Sequence, residues 1–478
     1  MPVSRLTTPQ RSRRRGPRRF SDGGPWLRVS PVSVAVALLG TLATLAGAQS
    51  SPPDGAWPQW GGPHRDFTVD APPLAESWTE TGPPQLWSRP LGVGHSTILA
   101  EDGLLFTIYR GGDAKSRSGP WALEETVIAL DAATGETRWE FSYPSPIEDF
   151  GRGAGPHSTP LLVGERLFAI GTNRRLHALD KRSGELLWSV DLVADLGAPP
   201  LQVRPIVKSG YASSPIAYRD LILCFAGGPG QSVVALRQSD GSVAWRSGHF
   251  LISGASPLMI DVDGEQQVVF FGGSLAAGLD PSNGDVLWAW AHDAGNDFNL
   301  SMPLWGEDQI LFLSSAYRAG SRALRLRREG ANTEVEELWF DNRIKFQFLN
   351  AVRVGDVVYG THGESGTAFL TAVDVESGEI LWRQRGFGQS TLLAADGKLI
   401  VLTEDGELAL VRPSKEGAEE LARSDVFDTT SWSAPTLVGT TLYARDREKV
   451  LALDLGASSD ARGVVTDGAI GDAGGGVR

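Results

Sequence analysis

Cysteine is almost missing from this chain: Cys224 is the only one in 478 residues, so no intrachain disulfide can form. Long apolar runs are missing too. The longest, Val32 to Ala46, falls short of the ~20 residues a helix needs to cross a bilayer. Helix signals are nearly absent, which leaves an all-β chain. No nucleophile elbow, phosphate loop or paired zinc motif occurs, and Gly227-Gly228-Pro229-Gly230 joins two apolar runs without a helix behind it, so it reads as a turn. Positive charge is in the minority: 44 Lys and Arg against 57 Asp and Glu give a formal charge of −13, which disfavours nucleic acid and anionic lipid as partners.

Glycine and tryptophan, by contrast, are plentiful, at 57 and 15 residues. They fall in a repeat: ALDAATGETRW from Ala129, ALDKRSGELLW from Ala178, ALRQSDGSVAW from Ala235, GLDPSNGDVLW from Gly278 and AVDVESGEILW from Ala372. Each copy is a strand end, a polar turn, a Gly where the backbone needs positive φ, and a second strand that reaches a Trp. The Trp supplies the surface that locks one unit to the next. Trp87, Trp139, Trp188, Trp245, Trp288, Trp339 and Trp382 are separated by 52, 49, 57, 43, 51 and 43 residues, the length of a four-stranded propeller blade with variable loops.

A second hairpin precedes each of these, clearest in STPLLVGERLFAIG from Ser158, SSPIAYRDLILCFAG from Ser213 and SAPTLVGTTLYAR from Ser433. Weaker copies start at Ser96, Ser256, Ser301, Asn350 and Ser390. Those eight starts predict an all-β, eight-bladed β-propeller of four-stranded antiparallel blades over residues 85–456. The last blade stops after Leu453-Asp454, and Leu86-Trp87-Ser88 is an outer strand with no blade before it. Pairing the two closes the ring and removes its open edges. Leu421 stands where blade seven should carry its Trp, and blade five has a long charged turn from Arg325 to Glu337. Asp261-Val262-Asp263-Gly264 lacks the downstream Glu of a calcium loop and reads as a hairpin turn in blade four.

Residues 1–48 read as a secretory signal peptide: Arg11, Arg13, Arg14, Arg15, Arg18 and Arg19, then the apolar run, then Ala46-Gly47-Ala48 as cleavage site. Losing its eight Arg and one Asp would take the formal charge to about −20. No Cys follows the cleavage site, so no lipid anchor is expected, and membrane association would need the signal to stay uncleaved. The Trp- and Pro-rich residues 49–84, with Trp57 and Trp60, are expected to pack on the propeller. The tail 457–478, rich in Gly, Ala and Asp, is expected to be disordered.

In a propeller, the loops that enter the innermost strands gather around the central channel. At that position the eight blades carry His95, His157, Ala212, Gly254, Leu300, Phe348, Gln389 and Trp432. His95, His157, Gln389 and Trp432 belong to blades one, two, seven and eight, neighbours once the ring closes. They are the candidate ligand-binding residues, lining one side of the channel mouth with Arg152 and Tyr211 as neighbours. Two His with no third ligand at a known spacing predict no metal site. His177 lies on an inner strand, and His249, His292 and His362 near strand ends, where surface or loop roles are expected.

The Ala-x-Asp-x-x-x-Gly-x-x-x-Trp hairpin and the opening Trp57-Pro58-Gln59-Trp60-Gly61-Gly62-Pro63 resemble the bacterial PQQ-like β-propeller repeat family. That resemblance implies the fold and divides on function, because the family holds both quinoprotein alcohol dehydrogenases and non-catalytic outer-membrane assembly lipoproteins. The dehydrogenases use a disulfide of adjacent cysteines, a Ca²⁺ and an Asp base around pyrroloquinoline quinone. One Cys cannot supply the disulfide; no Cys-x-x-Cys-His is present for haem, and no Glu, Asn and Asp cluster marks a calcium site. The non-catalytic branch is the better match. The expectation is an exported scaffold, periplasmic or extracellular, that binds cell-envelope proteins, with no catalytic residues and no cofactor. The alternative is a PQQ- and calcium-dependent oxidoreductase, or a cofactor-binding relative, with its pocket at the channel mouth.

Overall fold

The computed structural model describes residues 55–457 apart from 113–120, 147–154, 200–209, 296–297, 317–318, 331, 347–348 and 364–366. The expected signal peptide, nearly all of the tail, Arg152 and Phe348 lie outside the described residues. Eight antiparallel sheets follow one another in chain order, each built of four strands A to D. Blade two shows the plan: Leu161–Val163, Arg166–Ile170, Arg175–Asp180 and Leu186–Asp191. Strand A has two or three residues in six blades, five in blade four and six in blade seven. Strands B and C are almost continuously apolar and buried, as in Leu221–Phe225 and Lys398–Thr403, because both their faces meet neighbouring blades. Strand D alternates between cover and solvent.

The ring closes as the sequence predicts. Gln85–Pro90 pairs antiparallel with Lys449–Asp454, Trp87 opposite Ala452, and completes blade eight. Each repeat Trp follows a register shift, and in six of the seven the ring turns toward the next blade. There the indole N–H donates to a carbonyl in the next blade's C–D turn: Trp87 to Ala132, Trp139 to Lys181, Trp188 to Gln238, Trp245 to Pro281, Trp339 to Val375 and Trp382 to Ser414, at 2.8–3.2 Å. The turn Gly lies under the ring. A Cβ on Gly135, Gly184, Gly241, Gly284 or Gly378 would come within 2.7 Å of it. These glycines therefore serve twice, once for positive φ and once for the close approach. The turn itself is fastened by its Asp, as where Asp180 Oδ1 accepts the N–H groups of Arg182 and Ser183 at 3.0 and 2.8 Å.

Two local expectations change. The tryptophan register of blade seven is occupied by Ala422, paired with Leu410; Leu421 is the bulged residue before it. In blade five, Arg325 to Glu337 is no loop. Gly320–Glu329 and Asn332–Asp341 pair along their full length, so the charged stretch is a strand extension with alternating Arg and apolar residues, Leu326 inward. The Asp261–Gly264 segment is the A–B hairpin turn of blade four, with Gly264 N–H donating to Asp261 Oδ1 at 2.7 Å.

The N-terminal segment crosses the centre of the ring. Trp57 exchanges backbone hydrogen bonds with Ala100 in blade one, Pro58 accepts from Leu162 in blade two, and Phe67 accepts from Ala394 in blade seven. Thr68–Val69 then adds a fifth, parallel strand to blade seven. The Trp57 ring is fully buried, and Trp60 meets Phe67 edge-on at 5.0 Å. Between them the fully buried Arg65 donates to Pro257 O (2.6 Å), Ser214 O (2.9 Å), Pro215 O (3.2 Å) and Gln59 Oε1 (3.2 Å). Burial without a carboxylate partner lowers its pKa to about 9. The backbone contacts of Trp57, Pro58 and Phe67 fall along the strands A of blades one, two and seven, while Arg65 reaches the carbonyls at the entry to strand A in blades three and four, so this segment fills the channel beside the inner strands.

Candidate functional site

The channel mouth is built by hydroxyl groups at the start of strand A. Thr97 N–H donates to Thr159 Oγ1 (3.0 Å), Thr159 N–H to Ser214 Oγ (2.9 Å) and Ser214 N–H to Ser256 Oγ (3.0 Å), each bond crossing to the next blade. Asn350 fills this role between blades six and seven by bonding Leu392 N–H at 3.1 Å. The Ser/Thr of the Ser-x-Pro region is thus an inter-blade clasp around the channel, a role its sequence pattern did not reveal. It holds adjacent strand-A entries at a fixed spacing, and the residues just before them converge.

Three of the four sequence-predicted residues come together. His95 N–H donates to Pro156 O (2.8 Å), which sets the His95 ring against the His157 ring at 5.0 Å and 21°. Trp432 lies 5.0 Å from His95, tilted by 39°, and its indole N–H donates to Glu404 Oε2 at 3.0 Å. Gln389 is joined to this group only through Glu404, whose N–H it accepts at 2.7 Å; its side-chain amide turns to Gly363 O in blade six at 3.2 Å. The Tyr211 hydroxyl donates to Phe225 O at 3.1 Å, within its own blade.

Cations surround the two imidazoles. Burial first, then His157, Arg447 and Arg445, hold the His95 pKa well below its ordinary value; burial, then Arg110 and Arg447, bring His157 down to about 4. Both rings are neutral at physiological pH. Arg445 is fully buried on carbonyls of Ile108 (2.9 Å) and Gly92 (2.8 Å). Arg110 pairs with Glu125 at 2.7 Å, both fully buried, and Glu125 also accepts from Tyr143 OH (2.8 Å) and Thr172 N–H (3.1 Å). Sequence reasoning missed these charges because Arg110 and Glu125 sit inside apolar strands, where only the clash of a charge with a buried pattern marked them.

Three polar atoms at the mouth are buried and have no hydrogen-bond partner among the described residues: His95 Nδ1, His157 Nε2 and Thr172 Oγ1. Gly155 packs closely against the last two. A Cβ there would lie 2.5 Å from Thr172 Oγ1 and 3.1 Å from His157 Cδ2. Elsewhere His249 is exposed as expected, whereas His292 departs from the expected surface or loop role. His292 is fully buried, accepting at Nδ1 from Arg322 Nε (3.0 Å) and facing Ser315 Oγ with Nε2 (3.1 Å). With Nδ1 as acceptor, Nε2 carries the proton, so it cannot activate Ser315 as a base. His177 is buried 4.4 Å from the Tyr143 ring.

Comparison with known proteins adds a decisive observation. Residues 123–299 and 336–461 match the family described as outer membrane protein assembly factor BamB. The chain belongs to that family. BamB of Yersinia pestis is 24% identical over 326 residues, covering 66% of this chain and 76% of the relative. The solved BamB of Moraxella catarrhalis has a TM-score of 0.51 at 16% identity, covering 78% of this chain and 97% of its own. A quinohemoprotein alcohol dehydrogenase from Comamonas testosteroni reaches 0.56 at 13% identity, covering 85% and 81%. At such identities these structural likenesses show the propeller fold shared by scaffold and dehydrogenase; membership in the BamB family rests on the matched residues themselves.

Proposed function

We propose that this chain is an exported, non-catalytic scaffold that binds cell-envelope proteins during outer-membrane protein assembly. The observation that carries this reading is the family match across most of the ring. The chemistry of the mouth supports it. A quinone site of the dehydrogenase type needs oxygen ligands for a hard cation. Here Glu404 is engaged by Trp432 and Glu125 by Arg110 and Tyr143, and among the described residues no three His, Cys, Asp or Glu group together. Apolar side chains left on the outer strands of blades two and four, Leu186, Leu187 and Val286, offer the surface a partner protein would cover.

The test is to delete the gene and quantify folded outer-membrane β-barrel proteins by their heat-modifiable migration, with cell fractionation of the tagged protein. A fall in folded barrels with the protein outside the cytoplasm is the expected result. Unchanged barrel levels would refute the reading. Calcium-dependent micromolar binding of pyrroloquinoline quinone by calorimetry would move the chain to the oxidoreductase alternative.

A further inference from the structure

The mouth holds three orphaned polar atoms, and a buried polar atom with no partner costs ~1–3 kcal/mol unless something occupies the space before it. They are neighbours: His95 stacks on His157, and His157 and Thr172 both pack against Gly155. The sign of the local charge selects what fits. Arg445 and Arg447 weigh on the two imidazoles, and Arg110 does so on His157 while offset by its buried partner Glu125, in a chain whose formal charge is −13. A metal cation would add to that positive field, whereas an anion would be drawn in by it. Neutral imidazole N–H and threonine O–H groups donate to oxygen.

We propose that the channel mouth binds a small oxyanion, a carboxylate or phosphate group, against His95, His157 and Thr172, with Trp432 closing the wall beside them. The site lies on the inner face of blades one, two and eight and is separate from the outer rim, so an envelope partner on the rim and a ligand at the mouth can be held together.

The test uses the purified chain with ¹⁵N-labelled histidine, following the ring nitrogens during titration with sodium succinate and, separately, inorganic phosphate, at constant ionic strength against sodium chloride. The expected result is a saturable shift of the His95 and His157 signals, with a Kd of about 1 mM or tighter, while His249 on the outer rim does not move. Response to succinate alone assigns a carboxylate, response to phosphate alone a phosphate, and response to both a general oxyanion. Two variants locate the site: Thr172→Val removes the hydroxyl at constant shape, and His157→Phe keeps a ring against His95. Each should weaken binding by about tenfold or more. No shift with either anion, an equal shift with chloride, or unweakened binding in both variants would overturn the proposal.

Discussion

Replacing Gly184 by Ala tests the Trp-on-Gly seam directly. Its φ of +74° costs an L-residue about 1–2 kcal/mol, partly offset by the lower entropy of the unfolded chain. The new Cβ would lie 2.6 Å from Trp139 Cε3, so the ring must move and strain its bond to Lys181 O. Overpacking of this kind costs about 1–3 kcal/mol. Together the loss should be about 2–4 kcal/mol. Gly164→Ala supplies the control, since Gly164 has φ +56° and nothing within 4 Å of an added Cβ. It bears only the backbone cost, about 1 kcal/mol. The two are compared by urea denaturation at unchanged slope. In a Trp139→Leu background the excess penalty at Gly184 should vanish, a coupling that a double-mutant cycle reads. Equal losses for Gly184→Ala and Gly164→Ala would refute the account of the seam.

Acid should destabilise the ring above the carboxylate range. His157 and His177 are lowered to about 4 and His292 to about 3, so between those values and the unfolded value near 6.5 the unfolded chain binds more protons. Stability is then fully present above about pH 7 and lost as pH falls toward 4, which a drop in Tm between pH 7.5 and 5 would register; a flat Tm would contradict it. Arg65→Met should leave three carbonyls of blades three and four unpaired and loosen the plug by about 2–4 kcal/mol. The check is limited proteolysis, with faster cleavage near residues 57–69 and the ring intact. A chain starting at residue 91 would lack the closing strand and expose the edge of Lys449–Asp454. It should self-associate, seen as a concentration-dependent mass by light scattering.

The ring was legible because its information is local and repeated. Asp180, Gly184 and Trp188 lie within one hairpin, and five copies fix its period. Closure was legible for the same reason, as Trp87 is a strand-D tryptophan without a blade. The positions of His95, His157 and Trp432 followed from counting the same register in different blades. The plug was not legible. Arg65 acts through carbonyls about 150 and 192 residues away, and backbone acceptors leave no trace in side-chain identity. Gln389 shows the limit of equivalence by register: it holds the same position as His157, yet a nearby carbonyl at Gly363 captures its amide.

Two seams lack the tryptophan lock, and in both the docking turn is missing while the ring is absent in one and turned away in the other. Blade eight has no C–D turn, because its strand D comes from the other end of the folded chain; blade seven correspondingly has Ala422 in the tryptophan register. Blade five has a strand extension where the turn would be, and Trp288 of blade four swings back to Gln267 Oε1 at 2.8 Å within its own sheet. A ring with no turn to receive it would expose apolar surface and an unbonded indole N–H, so losing one partner removes the advantage of keeping the other. Each seam is fastened differently. Between blades four and five, Arg328 N–H donates to Asp263 Oδ2 (2.8 Å) and Gln267 Nε2 to Thr333 Oγ1 (2.7 Å). Between seven and eight the N-terminal segment is the clasp: Leu74 N–H donates to Asp396 Oδ2 and Ala75 N–H to Leu455 O, both at 2.8 Å. The segment that plugs the channel therefore runs on to fasten the seam where the ring closes. Pulling them out should weaken blades seven and eight before any other pair.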